Sequence, residues 1–506
     1  MISVTHFIRR SNEETRATQH YVVLAVQEIQ MVGPTEENTI SNRFTRREFI
    51  AVGGATLTTA YTHAGRAKLS KARPNVIFIM ADDLGYADLS CYGRRDYKTP
   101  NLDRLAKQGV RYLDAYSNSP VCSATRTALI TGRYQYRLPV GLEEPLASRP
   151  IGLPPEQPTL PSLLRKAGYR TALIGKWHLG QLPDYGPLQS GYDHFWGFRA
   201  GGIDYFTHKG HGGADLWDQD IAIEDEGYLT DMLGDRTLAT IDAFAQTADP
   251  FFLSLHFSAP HWPWEGPEDQ AEAQRIASDP ASNIVHFDGG SMATYAAMVR
   301  RMDYQVGRIM DRLQKRGLAD NTIVVFTSDN GGDRFSDTWP FSGRKTELLE
   351  GGIRVPCIVR WPVGLSADVD NNVPCVSMDW APTLLAACRA DIPSGVTFDG
   401  VNLFADRTRS TVPARTLFWR MKWMAQEASR RGNWKYLKIG ENKFLFDLAT
   451  DPLERANLKS REPELFASME TEYRLWNRTM LPISSESEAH GFGPSQMADR
   501  YDPPGP

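Results

Sequence analysis

Several stretches of this chain are apolar at almost every position rather than at every second position. The clearest are residues 76–80, 251–257 and 322–327. Continuous apolarity over so few residues is typical of strands that are buried on both faces, as in a parallel sheet covered by helices. Amphipathic helical patterns lie between these runs, the longest at 296–316. The sequence therefore predicts an α/β fold with a largely parallel sheet sandwiched by helices.

Other segments continue this alternation as far as about residue 400. Strands are also expected at 169–174 and 355–360, and helices at 101–108, 160–167 and 235–245. We therefore predict one large catalytic α/β domain over residues 74–400, followed by a smaller domain, as the chain length also suggests.

The pattern of the chain changes at about residue 416. Short segments at 417–420, 434–438 and 443–447 resemble antiparallel strands, and a helix is expected at 463–480. We predict a small C-terminal α+β domain with an antiparallel sheet over 410–484, and an irregular tail over 485–506.

Charge and composition exclude several classes of function. The 506 residues carry a net charge of −5, which gives no basic footprint for nucleic acid. No apolar run approaches the length needed for stable insertion in a bilayer. The five cysteines are too few for a disulfide scaffold, and their pairing cannot be read from the sequence.

The first 67 residues are expected to lie outside the fold. A polar stretch leads to Arg46 and Arg47, and a short, weakly apolar run follows at 51–60. This arrangement resembles a bacterial twin-arginine export signal. A membrane-anchoring N-terminus is the alternative, but the run is too short to span and contains Gly53 and Gly54. The expected partner is the twin-arginine export machinery, and the expected location is periplasmic or secreted.

Cys122 stands at the start of a short predicted helix, and Arg126 follows one turn later. Residues i and i+4 share one face of a helix. The positive end of the helix dipole stabilises anions and makes a thiol reactive. One face would therefore carry a nucleophile and a guanidinium group, which suits chemistry on an oxyanion. The motif alone leaves a buried structural cysteine as the alternative.

Two acidic pairs directly follow buried strands. Asp82 and Asp83 come after 76–80, whereas Asp329 and Asn330 come after the strand at 322–327. Ligands collect at the carboxyl ends of parallel strands, so the two pairs can converge. Three carboxylates and an amide oxygen suit Ca²⁺ or Mg²⁺ rather than Zn²⁺. Either pair alone could be a turn or a helix cap, but two pairs favour a metal site.

Candidate cations follow other strands. Lys176 and His178 are two residues apart, so an extended backbone would project them to the same side. His261 lies between prolines that restrict the backbone. Lys345 is a further candidate, and an ordinary surface loop is the alternative for each. A divalent metal with several cations is what sulfuryl or phosphoryl transfer needs, because negative charge on the non-bridging oxygens must be held.

At this level of detail the chain resembles the type I sulfatases, the formylglycine-dependent, arylsulfatase-like family of the alkaline-phosphatase superfamily. Residues 122–133 resemble its signature, although that signature usually has proline where this chain has Ala124. Blocks that match the family in order are 75–83, 175–180, 329–332 and 344–356, and 446–458 resembles its C-terminal motif. The resemblance covers residues 74 to 480.

The resemblance implies an alkaline-phosphatase-like fold and a specific chemistry. Cys122 would be oxidised to Cα-formylglycine by a formylglycine-generating enzyme. The aldehyde hydrate would attack sulfur, the alcohol would depart and sulfate would be released. One Ca²⁺ per chain is implied, with Mg²⁺ less favoured. Its ligands would be Asp82, Asp83, the modified Cys122, Asp329 and Asn330.

The same resemblance implies roles for the cationic residues. Arg126 would support the formylglycine and the metal. Lys176 and His178 would orient and deprotonate the hydrate. His261 and Lys345 would hold the sulfate and assist the leaving oxygen.

The expected function is hydrolysis of an aryl or carbohydrate sulfate monoester. Two alternatives stay open at this point. One is a phosphonate or phosphate ester hydrolase of the same superfamily, and the other is a non-catalytic binding protein with unmodified Cys122. Segments 207–213 and 262–264 could line a sugar-binding or aryl-binding pocket, or could be plain surface loops.

Overall fold

Strands and helices alternate in the computed structural model, which describes residues 72–142, 151–279, 283–405, 414–485, 487 and 491–499. The strands are β1 (Asn75–Ala81), β2 (Val110–Tyr112), β3 (Ala115–Tyr116), β4 (Arg170–Lys176), β5 (His194–Phe198), β6 (Lys209–Gly210), β7 (Gly213–Ala214), β8 (Trp217–Asp218), β9 (Ile221–Ala222), β10 (Phe251–His256), β11 (Thr322–Ser328), β12 (Cys357–Arg360), β13 (Val369–Asn371), β14 (Cys375–Val376), β15 (Thr416–Met421), β16 (Gln426–Arg431), β17 (Trp434–Ile439) and β18 (Asn442–Asp447). The helices are α1 (Pro100–Lys107), α2 (Cys122–Thr131), α3 (Leu160–Lys166), α4 (Leu229–Phe244), α5 (Gln270–Ser278), α6 (Met292–Lys315), α7 (Glu350–Ile353), α8 (Trp380–Ala387) and α9 (Pro463–Asn477).

The central sheet has ten strands in the order β13-β2-β12-β11-β1-β10-β4-β5-β8-β9. Its middle strands β11, β1, β10, β4 and β5 are mutually parallel. Val76 of β1 pairs with Phe252 on one side and with Ile323 on the other. The continuous apolar runs therefore form adjacent buried strands, which confirms the prediction of a largely parallel sheet.

Helices cover both faces of this sheet. Successive residues of β1 point to opposite sides, so Ile77 packs in one hydrophobic cluster and Phe78 in another. The first cluster includes Met298 and Met302 of α6, and the second includes Trp380 of α8. Burial on both faces explains why these strands show no apolar–polar alternation.

The strand predicted at 355–360 begins at Cys357 and runs antiparallel to β11. A parallel return would require a crossover to the other end of the sheet. The chain between β11 and β12 contains only the four-residue helix α7 among its described elements. It therefore turns back at the edge where β11 ends, and the return is antiparallel.

The helix predicted at 235–245 begins earlier, at Leu229. Leu229 and Leu233 are buried together with Leu238 and Ile241, so the apolar face continues upstream of the predicted start. The helix predicted at 296–316 likewise begins at Met292, where the hydroxyl of Ser291 accepts a hydrogen bond from the Thr294 N–H.

The C-terminal part forms a four-stranded antiparallel sheet, β15-β16-β17-β18, with α9 packed on it. Strand β16 was not predicted, because its sequence is polar and carries no apolar alternation. Trp419 and Tyr436 of this sheet share a hydrophobic cluster with Ala124 and Ala128 of α2. All described residues belong to one compact unit, and the boundary between 74–400 and 410–484 stays a prediction.

The predicted N-terminal extension and export signal, residues 1–67, lie outside the described residues, as do parts of the predicted tail at 485–506. The described part of that tail contains turns but neither helix nor strand. Within the described residues no helix is long and apolar enough to cross a bilayer.

Candidate active site

The carboxyl ends of the central parallel strands bring the predicted site residues together. Asp82 and Asp83 directly follow β1, and Asp329 directly follows β11. Lys176 is the last residue of β4, and His261 lies in the loop after β10. All five side chains are buried. The edge of the sheet that the sequence indicated is therefore where these groups meet.

A buried cluster at this edge could hold a metal ion. One ligand atom from each of Asp82, Asp83, Cys122 and His261 lies within 4.8 Å of the others. The Cys122 Sγ is 3.4 Å from Asp82 Oδ1 and 4.0 Å from Asp83 Oδ1. The sequence did not indicate His261 as a member of this group, because a histidine in a proline-rich loop carries no spacing signal toward distant aspartates.

Asp329 and Asn330 complete the oxygen-rich wall. The Asp83 N–H donates to Asp329 Oδ1 at 3.3 Å, and Asn330 Nδ2 donates to Asp83 Oδ1 at 2.7 Å. The other amide atom, Asn330 Oδ1, is buried and accepts no hydrogen bond from the described residues. A buried acceptor without a donor is costly unless something else binds it. The oxygen donors of this wall fit a hard divalent cation such as Ca²⁺.

The buried carboxylates of Asp82, Asp83 and Asp329 need positive charge beside them to stay ionised. Burial, together with the charge of Asp329, raises the pKa of Asp82 to about 7. Burial also raises the pKa of Asp83 to about 6, against the opposing effect of Lys345. Burial alone would raise the pKa of Asp329, but the charges of Arg126 and Lys176 hold it below its usual value. Crowded carboxylates repel one another, so cations beside them stabilise their ionised forms.

One cation lies against each carboxylate. Lys176 Nζ is 2.5 Å from Asp82 Oδ2, and Lys345 Nζ is 2.7 Å from Asp83 Oδ2. Arg126 donates to Asp329 Oδ2 from Nε at 3.1 Å and from Nη2 at 2.7 Å. Burial opposes the charge of both lysines, but the surrounding anionic groups outweigh it and raise the pKa of each. The lysines are therefore protonated at neutral pH.

The Cys122 side chain departs from the prediction made for it. It is the first residue of α2, as expected, with Val121 as the capping residue. Burial nevertheless raises its pKa well above the ordinary thiol value, more strongly than Lys176 and Lys345 lower it. The expectation that the helix dipole makes this thiol reactive is therefore wrong, because desolvation dominates. All five cysteines are free thiols.

The backbone conformation of His178 differs from the one that the sequence predicted. Its φ of 55° is left-handed, so the expected extended conformation is wrong. Its N–H donates to the Arg199 carbonyl at 3.2 Å, which fixes the turn. The ring Nδ1 is buried and has no partner among the described residues. Gly201 packs on the ring, since a Cβ there would lie 2.7 Å from it.

Both histidines of the site are held neutral. Burial, and then the charges of Lys345 and Lys176, lower the pKa of His261 well below its usual value. Burial likewise lowers the pKa of His178. His261 Nδ1 lies 2.8 Å from the Trp262 carbonyl oxygen, which can only accept. The proton is therefore on Nδ1, and the lone pair of Nε2 faces Asp83 Oδ2 at 3.6 Å.

The sequence missed His256, the last residue of β10. Its Nδ1 is 3.3 Å from Arg126 Nη1 and 3.2 Å from the Lys176 carbonyl oxygen. Burial and the Arg126 charge lower its pKa to about 3. The apolar run 251–257 contains two polar residues, Ser254 and His256, and a titratable side chain within it was the signal that could have revealed His256.

Of the aromatic segment at 262–264, one residue belongs to the site and another does not. The Trp262 ring centroid lies 4.0 Å from that of His261 and 5.9 Å from Lys345 Nζ. Trp264 instead packs in the core against Tyr295.

Comparison with known proteins gives consistent results. A family model described as "Sulfatase" matches residues 74–390. Human N-acetylgalactosamine-6-sulfatase (Homo sapiens) is 32% identical over 371 residues, covering 68% of this chain and 68% of its own. Arylsulfatase J of Mus musculus is 29% identical over 482 residues, covering 83% of this chain and 78% of its own.

A solved structure supports the same placement. The crystal structure of Ps i-CgsB in complex with k-i-k-neocarrahexaose is 29% identical, with a TM-score of 0.74, and covers 82% of this chain and 95% of its own. The fold is accordingly the alkaline-phosphatase-like arrangement that the resemblance implied. Because the family model matches more than half of the chain, and the ordered blocks meet at one buried site, this chain belongs to the sulfatase family and is a sulfatase enzyme.

Proposed function

We propose that this sulfatase hydrolyses a sulfate monoester with a formylglycine made from Cys122 and one bound Ca²⁺. The metal ligands would be Asp82, Asp83, the modified Cys122, Asp329 and Asn330. The observation that carries the proposal is a buried cluster in which one ligand atom from each of Asp82, Asp83, Cys122 and His261 lies within 4.8 Å of the others. Asp329 and Asn330 are hydrogen-bonded to Asp83 beside it, and a cation lies against each carboxylate. Sulfuryl transfer needs such fixed positive charge around a dry site.

The Ca²⁺ ion and the formylglycine would each supply chemistry that unmodified side chains lack. Ca²⁺ supplies a fixed dication that polarises sulfate oxygens, and a hydrated aldehyde at position 122 supplies a hydroxyl nucleophile in place of a thiol. The unpartnered Asn330 Oδ1 and the raised pKa values of Asp82 and Asp83 support the fit of the cation.

The chain's own residues would divide the remaining work. Lys176 lies against Asp82, beside Cys122, and orients the nucleophile. His178 has a buried ring nitrogen without a partner among the described residues, which suits it to accept the nucleophile's proton. Arg126 fixes Asp329 through two donated hydrogen bonds.

At the opposite wall, Lys345 and His261 flank Asp83. The protonated Lys345 Nζ would hold a sulfate oxygen and donate toward the leaving alcohol. The Trp262 carbonyl fixes the His261 ring with the unprotonated Nε2 facing the site, so this atom would take up a proton from the Lys345 ammonium group and pass it to the leaving oxygen.

The test combines mass spectrometry with turnover. Protein made in a host with a formylglycine-generating enzyme is digested, and the peptide containing residue 122 is examined for an aldehyde. Turnover of para-nitrophenyl sulfate is measured for the wild type, for Cys122→Ala and for the matched control Cys91→Ala, whose thiol lies outside the site. We expect an aldehyde, and activity lost only in Cys122→Ala. A fully active protein with a persistent thiol at 122 would refute the formylglycine proposal.

The two alternatives have less support. The relatives described above are named as sulfatases, which does not favour a phosphonate or phosphate ester hydrolase. Comparing kcat/KM for para-nitrophenyl sulfate with that for the matching phosphate diester decides between them. A non-catalytic binding protein would be expected to lack a carboxylate of the cluster, or Lys176 or His178, and all of these are present and buried.

We also propose that the enzyme is exported through the twin-arginine machinery. The proposal rests on the arginine pair and the weakly apolar run that follows it. Replacing Arg46 and Arg47 together by lysine should leave the enzyme in the cytoplasmic fraction, with the wild type in the periplasmic fraction or the medium. Unchanged distribution between fractions would contradict it.

A further inference from the structure

A polar cleft adjoins the proposed catalytic site on the Lys345 side. Its volume is about 320 Å³, which is within the usual range for a ligand pocket. Residues that line it include Asp333, Arg334, Thr338, Arg344 and Glu347. It shares a wall with the site, because Arg344 precedes Lys345, and the Lys345 N–H donates to the carbonyl of Gly332, next to Asp333, at 2.9 Å.

The Asp333 carboxylate is the unusual group of this cleft. The residue is only 4% exposed, and both of its carboxylate oxygens are buried without a hydrogen-bond donor among the described residues. Its charge raises the pKa of Lys345, the group that would donate toward the leaving alcohol, and opposes the lowering of the Arg334 pKa by burial. A buried carboxylate with no donor is unfavourable unless a ligand supplies one.

Asp88 shows what a structural aspartate looks like in this protein. It is also buried, but its oxygens accept hydrogen bonds from Gly85 N at 2.7 Å, Ser336 Oγ at 2.6 Å and Tyr295 OH at 2.5 Å. Asp88 therefore holds surrounding loops together. Asp333 makes no such side-chain hydrogen bond in the described structure, so its carboxylate is not accounted for by a structural role.

We infer that the cleft binds the alcohol part of the substrate, that Asp333 accepts hydrogen bonds from its hydroxyl groups, and that the substrate is a carbohydrate sulfate rather than a simple aryl sulfate. The inference rests on the proposed sulfate-ester hydrolysis. Hydroxyls next to the ester carbon would satisfy the Asp333 oxygens. An aryl leaving group without hydroxyls would leave them unpaired, and a site built to bind a hydroxyl discriminates strongly against analogues that lack it. Apart from Gly343, the described residues that line the cleft are polar or charged, which also suits a polyol.

The test compares two substrate classes in matched variants. kcat/KM is measured for para-nitrophenyl sulfate and for a set of hexose monosulfates with the ester at each carbon in turn. The variants are Asp333→Ala, Asp333→Asn and the control Asp311→Ala, whose exposed carboxylate pairs with Arg104. Thermal unfolding is recorded for each, and Asp333→Asn serves as the isosteric variant should the alanine variant fold poorly.

We expect the wild type to prefer at least one hexose monosulfate. Loss of a hydrogen bond to a charged group should lower kcat/KM for that sugar by about 10- to 150-fold in Asp333→Ala. The loss for the aryl sulfate should be at least about tenfold smaller, with an intermediate effect in Asp333→Asn and none in Asp311→Ala.

If Asp333→Ala left the ratio of kcat/KM for the sugar sulfate to kcat/KM for the aryl sulfate unchanged, the inference would be overturned while the proposed function stayed intact. A wild type that prefers the aryl sulfate to every hexose monosulfate would also overturn it. Failure of the proposed function is a separate result, because formylglycine-containing wild type would then hydrolyse neither class.

Discussion

The Lys435→Met variant tests how the C-terminal sheet is held against the catalytic part of the chain. Lys435, in β17, is completely buried, and its Nζ lies 2.9 Å from Glu350 Oε1 and 2.8 Å from Glu454 Oε1. Glu350 begins α7, downstream of Lys345, and also accepts a hydrogen bond from Tyr116 OH at 2.5 Å. The Lys435 ammonium group therefore lies between two buried carboxylates where the C-terminal sheet meets α7, and of these Glu350 is also paired with Arg354 at 3.2 Å.

The expected cost follows from the charges left behind. Removing one partner of a buried ion pair destabilises a protein by about 3–5 kcal/mol, because the remaining charge is buried without compensation. In a chain of this size 1 kcal/mol corresponds to roughly 1 °C, so we expect the melting temperature to fall by about 3–5 °C. Differential scanning fluorimetry at a fixed scan rate measures this shift.

A matched control lies on the same strand. Lys438 is partly exposed and pairs with Glu427 at 3.2 Å. Lys438→Met should cost no more than about 1 kcal/mol, as is usual for surface pairs. Comparable melting temperatures for the two variants would refute the reasoning that burial makes the Lys435 contacts important.

The pH dependence gives a second check on the same variant. Burial raises the pKa of Glu454 to about 7, although the charge of Lys435 lowers it. The folded protein therefore binds protons that the unfolded chain releases between about pH 4.5 and 7, and stability falls as pH rises through this window. Without Lys435 the pKa of Glu454 should rise further, so the fall should extend to higher pH and the variant should lose more stability at pH 8 than at pH 5. A pH-independent deficit would contradict this.

Three further predictions concern the buried polar groups. Burial beside Asp204 raises the pKa of Glu265 to about 9, so the free energy of unfolding should fall as pH rises from about 4.5 to 9. The slope should reach at most ~1.4 kcal/mol per pH unit, and Glu265→Gln should remove it in urea titrations; an unchanged slope would contradict the assignment. Arg126→Lys should lower kcat/KM at least about tenfold, because lysine cannot reproduce the two donors on Asp329, and wild-type activity would show that this contact is dispensable. Saturating Ca²⁺ should raise the wild-type melting temperature but raise that of Asn330→Ala much less, and equal shifts would place the ion elsewhere.

Much of the fold could be predicted from the sequence, because strands that are buried on both faces have an almost wholly apolar composition. The runs at 76–80, 251–257 and 322–327 became neighbouring parallel strands, since a strand covered on both faces has no polar side to show. Strand β16 was missed for the converse reason, because its residues are polar and its pairing is set by the strands on either side.

The site was readable in part for the same reason. Polar residues directly after buried strands must lie at one edge of a parallel sheet, and this rule alone predicts that Asp82, Asp83 and Asp329 meet. The conformation of His178, the place of His261 in the ligand cluster and the contacts of His256 were not readable. Each depends on loops whose geometry is set by distant neighbours, such as the Arg199 carbonyl that holds the His178 turn.

The sequence by itself determined the sheet, the family and the types of side chain at its carboxyl edge, because these follow from local apolar runs and from ordered motifs. Only the tertiary structure decided the charge states and the partners. Cys122 looked like an activated thiol at a helix start, yet its burial reverses that effect and favours the neutral thiol. No sequence pattern singled out Asp333. Only the folded structure shows that its buried carboxylate accepts no hydrogen bond from the described residues. Desolvation depends on everything that surrounds a group, and no local pattern of residues encodes it.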